Sequence, residues 1–305
     1  IQSPRQTSAE QFKTGCQLIL LGLFKKIAIA DAVAGHVQEV YSDPGACSSS
    51  TLLMGTYLFA MQIYGDFSGY TDIARGVSRV MGIELILNFR QPYLASNITD
   101  FWRRWHISLS TWLKDHLYIP LGGSRVGVAM HLRNIAVTFV LSGLWHGANW
   151  TFIAWGAVHG LALVLGHFSA GIRASVVEAI GLSRWPRVHH ALRVGVVMLI
   201  AGSAWVFFRA QSLEEAVTIL AGFFHAGGFR IETLWSLGLT RFEMATALVS
   251  LLVLFSVEAV QEFSLKPALE LWSVRGFRWA LYVAAFYGIV FFGVFGNLEF
   301  IYFQF

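Results

Sequence analysis

Charged residues are scarce in this sequence. Its 305 residues include 22 Lys and Arg and 18 Asp and Glu, or 13% in all, whereas a typical soluble domain carries about 25%. Hydrophobic residues make up 55%, and the mean hydropathy is +0.57. This composition is typical of a protein embedded in a lipid bilayer, and the formal net charge of +4 does not favour nucleic-acid binding.

Sequence motifs for metal, phosphate and serine chemistry are missing as well. Only Cys16 and Cys47 are present, and neither has metal-ligand or redox spacing, so no disulfide framework is predicted. We find no zinc-binding spacing, no glycine-rich phosphate loop and no nucleophile elbow. A serine hydrolase is therefore disfavoured. Histidines and carboxylates are the remaining candidates for catalytic residues.

Long charge-free runs predict several membrane-spanning helices, since crossing a bilayer takes about 20 mostly apolar residues. Residues 134–172 lack Asp, Glu, Lys and Arg and are long enough for two spans joined by a tight turn. Other candidate segments are residues 44–65, 194–208, 244–257 and 279–298. Residues 15–30 are apolar except for Lys25 and Lys26, and they are predicted to form the end of a span or an interfacial segment. We expect about six or seven membrane segments, nearly all helical, because an open sheet leaves backbone groups unpaired in lipid.

Residues 70–133 form an unusual region that is rich in Arg and Trp. Basic residues outnumber acidic ones there, which is typical of the cytoplasmic side. We predict a cytoplasmic re-entrant or interfacial region within a membrane domain that covers residues 1–305. The same rule puts loop 209–243 and the C-terminus outside. The chain begins at Ile1 without a signal-peptide pattern, so we expect further helices upstream.

His146 is the most informative single residue, because it lies deep in the charge-free run. An ionisable side chain at membrane depth is costly and usually faces a cavity or a partner. Gly143 and Gly147 remove side chains nearby, which lets another backbone or a ligand approach. A neutral imidazole here is a candidate general base for a hydroxyl or thiol nucleophile. The alternative is a structural hydrogen bond between helices.

His106 lies in a second aromatic segment. Four apolar residues recur there at helical spacing, namely Phe101, Trp105, Leu109 and Trp112. The pattern predicts one amphipathic helix at the cytoplasmic membrane interface. The functional alternative places His106 at a tunnel mouth, with Arg103 or Arg104 binding the phosphates of an acyl donor.

Two aspartates lie near the end of a predicted span. Asp72 and Arg75 are three residues apart and can pair on one helix face. Asp66 is expected either to have a structural role or to fix an imidazole or line a polar cavity. The other histidines have no comparable setting, and we predict interfacial or packing roles for them.

Several of these segments together resemble the membrane-bound O-acyltransferase family. The matching segments are Phe101–Leu109, Asp115–Gly123, Ser142–Asn149, Gly22–Lys26, Asp66–Asp72, Asn88–Tyr93 and Phe300–Phe305. The branch that looks most similar O-acetylates alginate and other exopolysaccharides, and the teichoic acid D-alanyl transfer branch is more distant. The resemblance extends over essentially the whole chain.

The resemblance implies an all-α ring of helices around a central tunnel in the bacterial inner membrane. His146 matches the near-invariant histidine of the family, and His106 matches the second, less universal one. A hydroxyl that His146 deprotonates is then expected to attack a thioester carbonyl. The candidate substrate-binding residues are Arg103, Arg104 and Asp66. Asn149 is expected to orient the imidazole or the carbonyl.

The same resemblance implies substrates and partners. We expect no bound cofactor, because acetyl-coenzyme A or an acyl-carrier-protein thioester serves as the donor substrate on the cytoplasmic side. A polysaccharide is too large and polar for an apolar tunnel, so we expect a periplasmic acetyltransferase partner. Tyr302 offers a phenolic hydroxyl that could relay the acyl group to that partner. Its alternative role is that of an aromatic anchor at the membrane interface.

Three other functions stay open on the sequence alone. One is direct acylation of a lipid. Another is transport of an acyl intermediate without catalysis, because intramembrane His and Asp residues also suit proton relays. The third is a structural subunit of a secretion complex, which predicts that His146 is replaceable.

Overall fold

The computed structural model describes residues 7–224, 241–263, 273–294 and 300–301. These residues are mostly helical, and none of the described ones forms a β-strand. The prediction of an all-α protein is therefore confirmed. The chain divides into two compact units, which are Ile1–Leu87 with His225–Phe305, and Asn88–Phe224.

The α-helices follow one another closely along the described ranges. In chain order they are α1 (Ala9–Leu23), α2 (Asp31–Ser42), α3 (Ser49–Val80), α4 (Ile98–Arg104), α5 (Ile107–Leu113), α6 (Val128–His146), α7 (Trp150–Phe168), α8 (Ala170–Ala179), α9 (Pro186–Arg209), α10 (Leu213–Gly222), α11 (Arg241–Phe263) and α12 (Arg275–Phe292). Phe24–Ala30 and Lys114–Tyr118 are π-helical. The first of these joins α1 to α2 without a break.

Within the described ranges, four helices are long and apolar enough to cross a membrane, namely α6, α7, α9 and the Ala245–Phe263 part of α11. The hairpin predicted within residues 134–172 is therefore confirmed, as are the apolar helices predicted at residues 194–208 and 244–257. The protein is an all-α polytopic membrane protein. The described parts of the other three predicted segments, residues 15–30, 44–65 and 279–298, are largely helical too. That they cross the membrane stays a prediction. The ring of helices around a tunnel also stays a prediction.

Helix α3 of the first unit is longer than the charge pattern indicates. The predicted span ends at residue 65, whereas the helix runs unbroken from Ser49 to Val80. Asp66 and Asp72 are both buried on this helix, because each has a basic partner described below. The region predicted to begin at residue 70 therefore starts with about three turns of regular helix.

Glycines allow α1 and α3 to pack with their backbones in contact. A Cβ atom added to Gly22 would lie 2.5 Å from the carbonyl oxygen of Gly69, and one added to Gly15 would lie 2.8 Å from that of Gly76. Such distances are too short for any side chain. The two helices therefore approach as small-residue interfaces do in membranes.

Two consecutive lysines of the first unit bind buried carboxylates of α3. Lys25 Nζ lies 2.8 Å from Asp72 Oδ2, and Lys26 Nζ lies 2.6 Å from Asp66 Oδ1. Lys26 also pairs with Asp31 Oδ1 at 2.7 Å. The pairs neutralise charges that would be costly alone in the low-dielectric interior.

The predicted pairing of Asp72 with Arg75 is confirmed, with Arg75 Nη1 3.2 Å from Asp72 Oδ1. Lys25 is the second cation on the same carboxylate, a partner that lies far away in sequence. Beside this group, the Tyr64 hydroxyl donates a hydrogen bond to the buried carboxylate of Glu258. The first unit therefore holds a connected set of buried charges.

The α6–α7 hairpin of the second unit is also packed through glycine. A Cβ atom on Gly143 would lie 2.2 Å from the carbonyl oxygen of Phe152, and one on Gly156 would lie 2.1 Å from that of Phe139. Gly147 faces the ring of Phe152 instead, 2.6 Å from where its Cβ would be. The partner expected to approach these glycines is thus helix α7 of the same hairpin.

The prediction of a single amphipathic helix from Phe101 to Trp112 is wrong. Helix α4 ends at Arg104 and α5 begins at Ile107. The break divides the apolar stripe, since Phe101 and Trp105 are buried in the protein whereas Trp112 is exposed. Periodicity did not show this break, because the residues on both sides keep helical spacing.

Candidate active site

His146 is the last residue of α6, directly before the turn that joins the two helices of the hairpin. Its ring packs edge-on against three aromatic rings, with centroid distances of 4.9 Å to Trp145, 5.0 Å to Trp155 and 5.0 Å to Phe208. Trp155 and Phe208 are each 1% exposed. These rings pack around an imidazole that stays partly exposed, as a base that must reach its substrate does.

Asn149 begins the second helix of the hairpin. Its Oδ1 accepts a hydrogen bond from Thr151 N at 3.1 Å and thus caps α7. Its Nδ2 donates to the carbonyl oxygen of Gln211 at 3.3 Å. These bonds give Asn149 a structural role, and its expected contact with the imidazole or the carbonyl stays a prediction.

His106 lies at the break between α4 and α5, where its φ of +41° is in the left-handed region. A non-glycine residue pays about 1–3 kcal/mol for such a conformation, and strain of this kind clusters at functional sites. The His106 ring centroid lies 6.0 Å from that of Trp145, which in turn lies 4.9 Å from that of His146. The fold therefore brings the two predicted histidines near one tryptophan.

Asn88 holds the chain in this break. Its backbone oxygen accepts from Ile107 N at 3.0 Å, and its Oδ1 accepts from Ser108 N at 3.1 Å and from Ser108 Oγ at 2.7 Å. The sequence marks Asn88 only as a turn residue. Its partners lie about twenty residues away, so no local pattern could have identified its role in positioning His106.

His106 is only 8% exposed. Burial lowers the pKa of its imidazole to about 4. The ring is therefore neutral near pH 7. A neutral imidazole can act as a hydrogen-bond donor and as an acceptor at the same time.

A cavity of about 1610 Å³ lies within the second unit. Its walls come from α4 to α9 and are mostly apolar. Cationic side chains among the lining residues are Arg103, Lys114, Arg173 and Arg193. Ser142 also lines the cavity, and it precedes His146 by one helical turn. The cavity exceeds the ~300–1,000 Å³ of typical small-molecule sites, so a long ligand with an anionic end fits its size and charge.

The structure separates the two candidate arginines. Arg103 lines the cavity, whereas Arg104 is buried elsewhere, with its Nε 3.0 Å from Asp100 Oδ2. Arg104 therefore stabilises α4, so of the two arginines predicted to bind phosphates the position of Arg103 fits that role better. The two residues are neighbours on a short helix and face different sides of it, a distinction that the sequence alone does not reveal.

Asp66 and Tyr302 belong to the first unit. The Asp66 carboxylate binds Lys26 and accepts a hydrogen bond from the backbone nitrogen of Ile301 at 2.6 Å. Its partners are therefore a lysine and a backbone amide, not an imidazole. Tyr302 follows directly after Ile301 and lies outside the described residues, so its proposed relay stays a prediction. Across the described ranges, no three His, Cys, Asp or Glu side chains are grouped to hold a metal ion.

These features define an all-α membrane protein with two histidines near one tryptophan and a large, mostly apolar cavity that is lined by four cationic side chains and by Glu178. Residues 1–208 match the model of MBOAT, the membrane-bound O-acyltransferase family. Because the match covers more than half of the chain, the chain belongs to this family.

Several characterised relatives are similar to this chain. A probable alginate O-acetylase of Azotobacter vinelandii is 38% identical over 265 residues, which is 86% of this chain and 50% of that protein. A peptidoglycan O-acetyltransferase of Helicobacter pylori is 41% identical over 209 residues, covering 68% of this chain and 38% of that protein. A teichoic acid D-alanyltransferase of Bacillus subtilis is 31% identical over 173 residues, covering 54% and 43% respectively. The chain thus spans about half the length of the curated relatives it matches, or less.

Proposed function

We propose that this protein is a membrane-bound O-acetyltransferase that serves O-acetylation of an exported, alginate-like polysaccharide. The main support is the cavity of the second unit, which has cationic side chains in its walls and includes Ser142, one helical turn from His146. The similarity to alginate and peptidoglycan O-acetylating relatives supports the choice of an acetyl group and a polysaccharide.

The donor we propose is a thioester on coenzyme A or on an acyl carrier protein. Its phosphate-bearing arm would bind Arg103 and the other cationic side chains of the cavity, because arginine and lysine pair favourably with phosphate. Its pantetheine chain would lie along the apolar walls. The protein itself requires no bound cofactor in this scheme.

The reaction we propose is attack of a hydroxyl oxygen on the thioester carbonyl carbon. His146 accepts the hydroxyl proton as the new carbon–oxygen bond forms. The tetrahedral intermediate then collapses and breaks the carbon–sulfur bond, and His146 returns the proton to the leaving sulfur. The products are an acetyl ester and a free thiol. His106, whose ring also lies near Trp145, positions the donor at the same centre.

The final acceptor is reached through a periplasmic acetyltransferase partner, because the polymer is too large and polar for an apolar site. Tyr302 is the proposed relay for the acetyl group. We place the protein in the bacterial inner membrane with residues 70–133 in the cytoplasm and the C-terminus in the periplasm, on the basis of the charge distribution.

The first test compares His146→Ala with His116→Ala in cells that export the polysaccharide. His116 is an exposed histidine of the second unit that does not line the cavity, so its replacement controls for loss of any histidine. We expect the acetyl content of the polymer to disappear in the His146 variant and to stay normal in the control, at equal protein levels in the membrane.

A second measurement separates catalysis from transport. Membranes are supplied with acetyl-coenzyme A, and the release of free thiol is followed with a thiol reagent. Thiol release that depends on His146 supports the transferase. Acetylation that persists in His146→Ala would refute the proposal and favour a scaffold, whereas acetyl loss without any change in thiol release would favour a transporter. Acetyl label recovered in lipid would indicate a lipid acyltransferase.

A further inference from the structure

Ser142 lines the cavity and lies one helical turn from His146, the proposed base. We propose that Ser142 is a catalytic residue that donates a hydrogen bond to the carbonyl oxygen of the thioester donor. This inference rests on the proposed function and names one more group that touches the reacting atoms.

The hydroxyl of Ser142 is buried without a hydrogen-bond partner among the described residues. The residue is only 2% exposed. Leaving a buried polar group unsatisfied costs about 1–3 kcal/mol, and such groups in native proteins call for an explanation. A ligand that supplies the missing acceptor provides one.

Thr138, one turn earlier on α6, shows what such a hydroxyl usually does in a helix. Its Oγ1 donates to the backbone oxygen of Asn134 at 2.7 Å, the common bond of a hydroxyl back to the preceding turn. Ser142 has the equivalent carbonyl available, at Thr138, and does not use it. Its hydroxyl is therefore available to a ligand.

A second buried donor lines the same cavity. The Nε1 of Trp102 has no hydrogen-bond partner among the described residues, and its ring packs 5.0 Å from that of Phe139 on the α6 turn before Ser142. An indole N–H can only donate. A ligand that satisfies both groups must therefore present an acceptor, such as the oxygen of a carbonyl.

The position of Ser142 relative to His146 fits the two roles. Residues four apart lie on one helix face and are about 6 Å apart along the axis. A thioester carbonyl whose oxygen binds Ser142 Oγ has its carbon on the side toward the imidazole. The attacking hydroxyl then lies between that carbon and His146.

The hydrogen bond strengthens as the reaction proceeds. When the hydroxyl oxygen attacks, the carbonyl π electrons move to the carbonyl oxygen, which becomes an anion that Ser142 stabilises. When the carbon–sulfur bond breaks, the carbonyl re-forms and the sulfur takes the proton from His146. Ser142 keeps its own proton throughout, so it changes the rate without being consumed.

The test measures kcat and KM for thiol release from acetyl-coenzyme A by the protein in membranes. Removing one donor of this kind typically lowers kcat by about 10²–10³-fold, so we expect Ser142→Ala to lower kcat by that order with KM nearly unchanged. Thr151→Val is the matched control, because the Thr151 hydroxyl is also buried and unpartnered but does not line the cavity. We expect that control to behave as wild type.

The outcomes distinguish this inference from the proposed function. If wild type releases no more thiol than His146→Ala, the proposed function fails. If wild type is active and Ser142→Ala keeps kcat within about threefold, or raises only KM, the role of Ser142 in the transition state is refuted. Ser142→Thr keeps a hydroxyl and should retain more kcat than Ser142→Ala. Equal losses in the two variants would also overturn the inference.

Discussion

The ion pair between Lys26 and Asp66 allows a quantitative test of how the first unit is held together. Lys26 Nζ lies 2.6 Å from Asp66 Oδ1 and 2.7 Å from Asp31 Oδ1. Asp66 is 2% exposed. Lys26→Met preserves the length and apolar stem of the side chain while removing the charge. Among the described residues, Asp66 then keeps the hydrogen bond from Ile301 N, and Asp31 loses the same lysine.

Breaking one side of a buried pair costs about 3–5 kcal/mol, because an uncompensated charge stays in the interior. We expect Lys26→Met to lower the free energy of unfolding by about that amount. Asp66→Asn removes the other charge and should be destabilising as well. The double variant has no charge at position 26 or position 66. Its loss in free energy of unfolding should therefore be smaller than the sum of the losses of the two single variants.

The measurement is a double-mutant cycle from chemical unfolding in detergent micelles. The coupling energy between the two positions should be about 1–3 kcal/mol. A coupling energy near zero would show that solvent screens the two charges and that the ion pair contributes little to the free energy of unfolding. Unchanged stability of Lys26→Met alone would refute the reasoning that these charges are buried together.

Two further predictions test helix packing and the state of His106. Gly22→Ala places a methyl group 2.5 Å from the Gly69 carbonyl oxygen and should lower the free energy of unfolding by about 1–3 kcal/mol. Gly35→Ala has nothing within 4 Å of the added methyl group and should raise the free energy of unfolding by about 0.5–1 kcal/mol. Equal unfolding midpoints for the two variants would contradict the close helix contact. Burial lowers the pKa of His106 from 6.5 to about 4. The folded protein therefore keeps its full free energy of unfolding above pH 6.5 and loses part of it as the pH falls toward 4, about 2 kcal/mol at pH 5, because the unfolded state binds the proton more readily. His106→Asn, which tolerates the left-handed backbone, should reduce the stability lost between pH 7.5 and pH 5 in the same unfolding assay, and an unchanged pH dependence would show that His106 is not the group responsible.

Much of the organisation of this protein could be predicted from local patterns. The charge-free run at residues 134–172 indicated the hairpin because lipid excludes charge over the full length of a span. The same run singled out His146, since an ionisable side chain there needs a reason. The pairing of Asp72 with Arg75 followed from their spacing of three residues on a helix.

The environment of each site residue could not be predicted in this way. Arg103 and Arg104 are adjacent in sequence, but one lines the cavity and the other pairs with Asp100. The break at His106 is held by Asn88, and its residues keep the spacing of an unbroken helix. These outcomes depend on which neighbours surround each helix, and the sequence pattern does not contain that information.

The sequence by itself determined that the chain is helical and lies in a membrane. Composition and spacing suffice for those conclusions because they reflect the solvent and the local backbone. The choice of His106 and His146 as candidates for acyl transfer came from the family resemblance. The tertiary structure decided that both histidines lie near Trp145 and that Ser142 lines a cavity with no hydrogen-bond partner for its hydroxyl among the described residues. Such relations arise between segments that are distant along the chain, and packing alone brings them together.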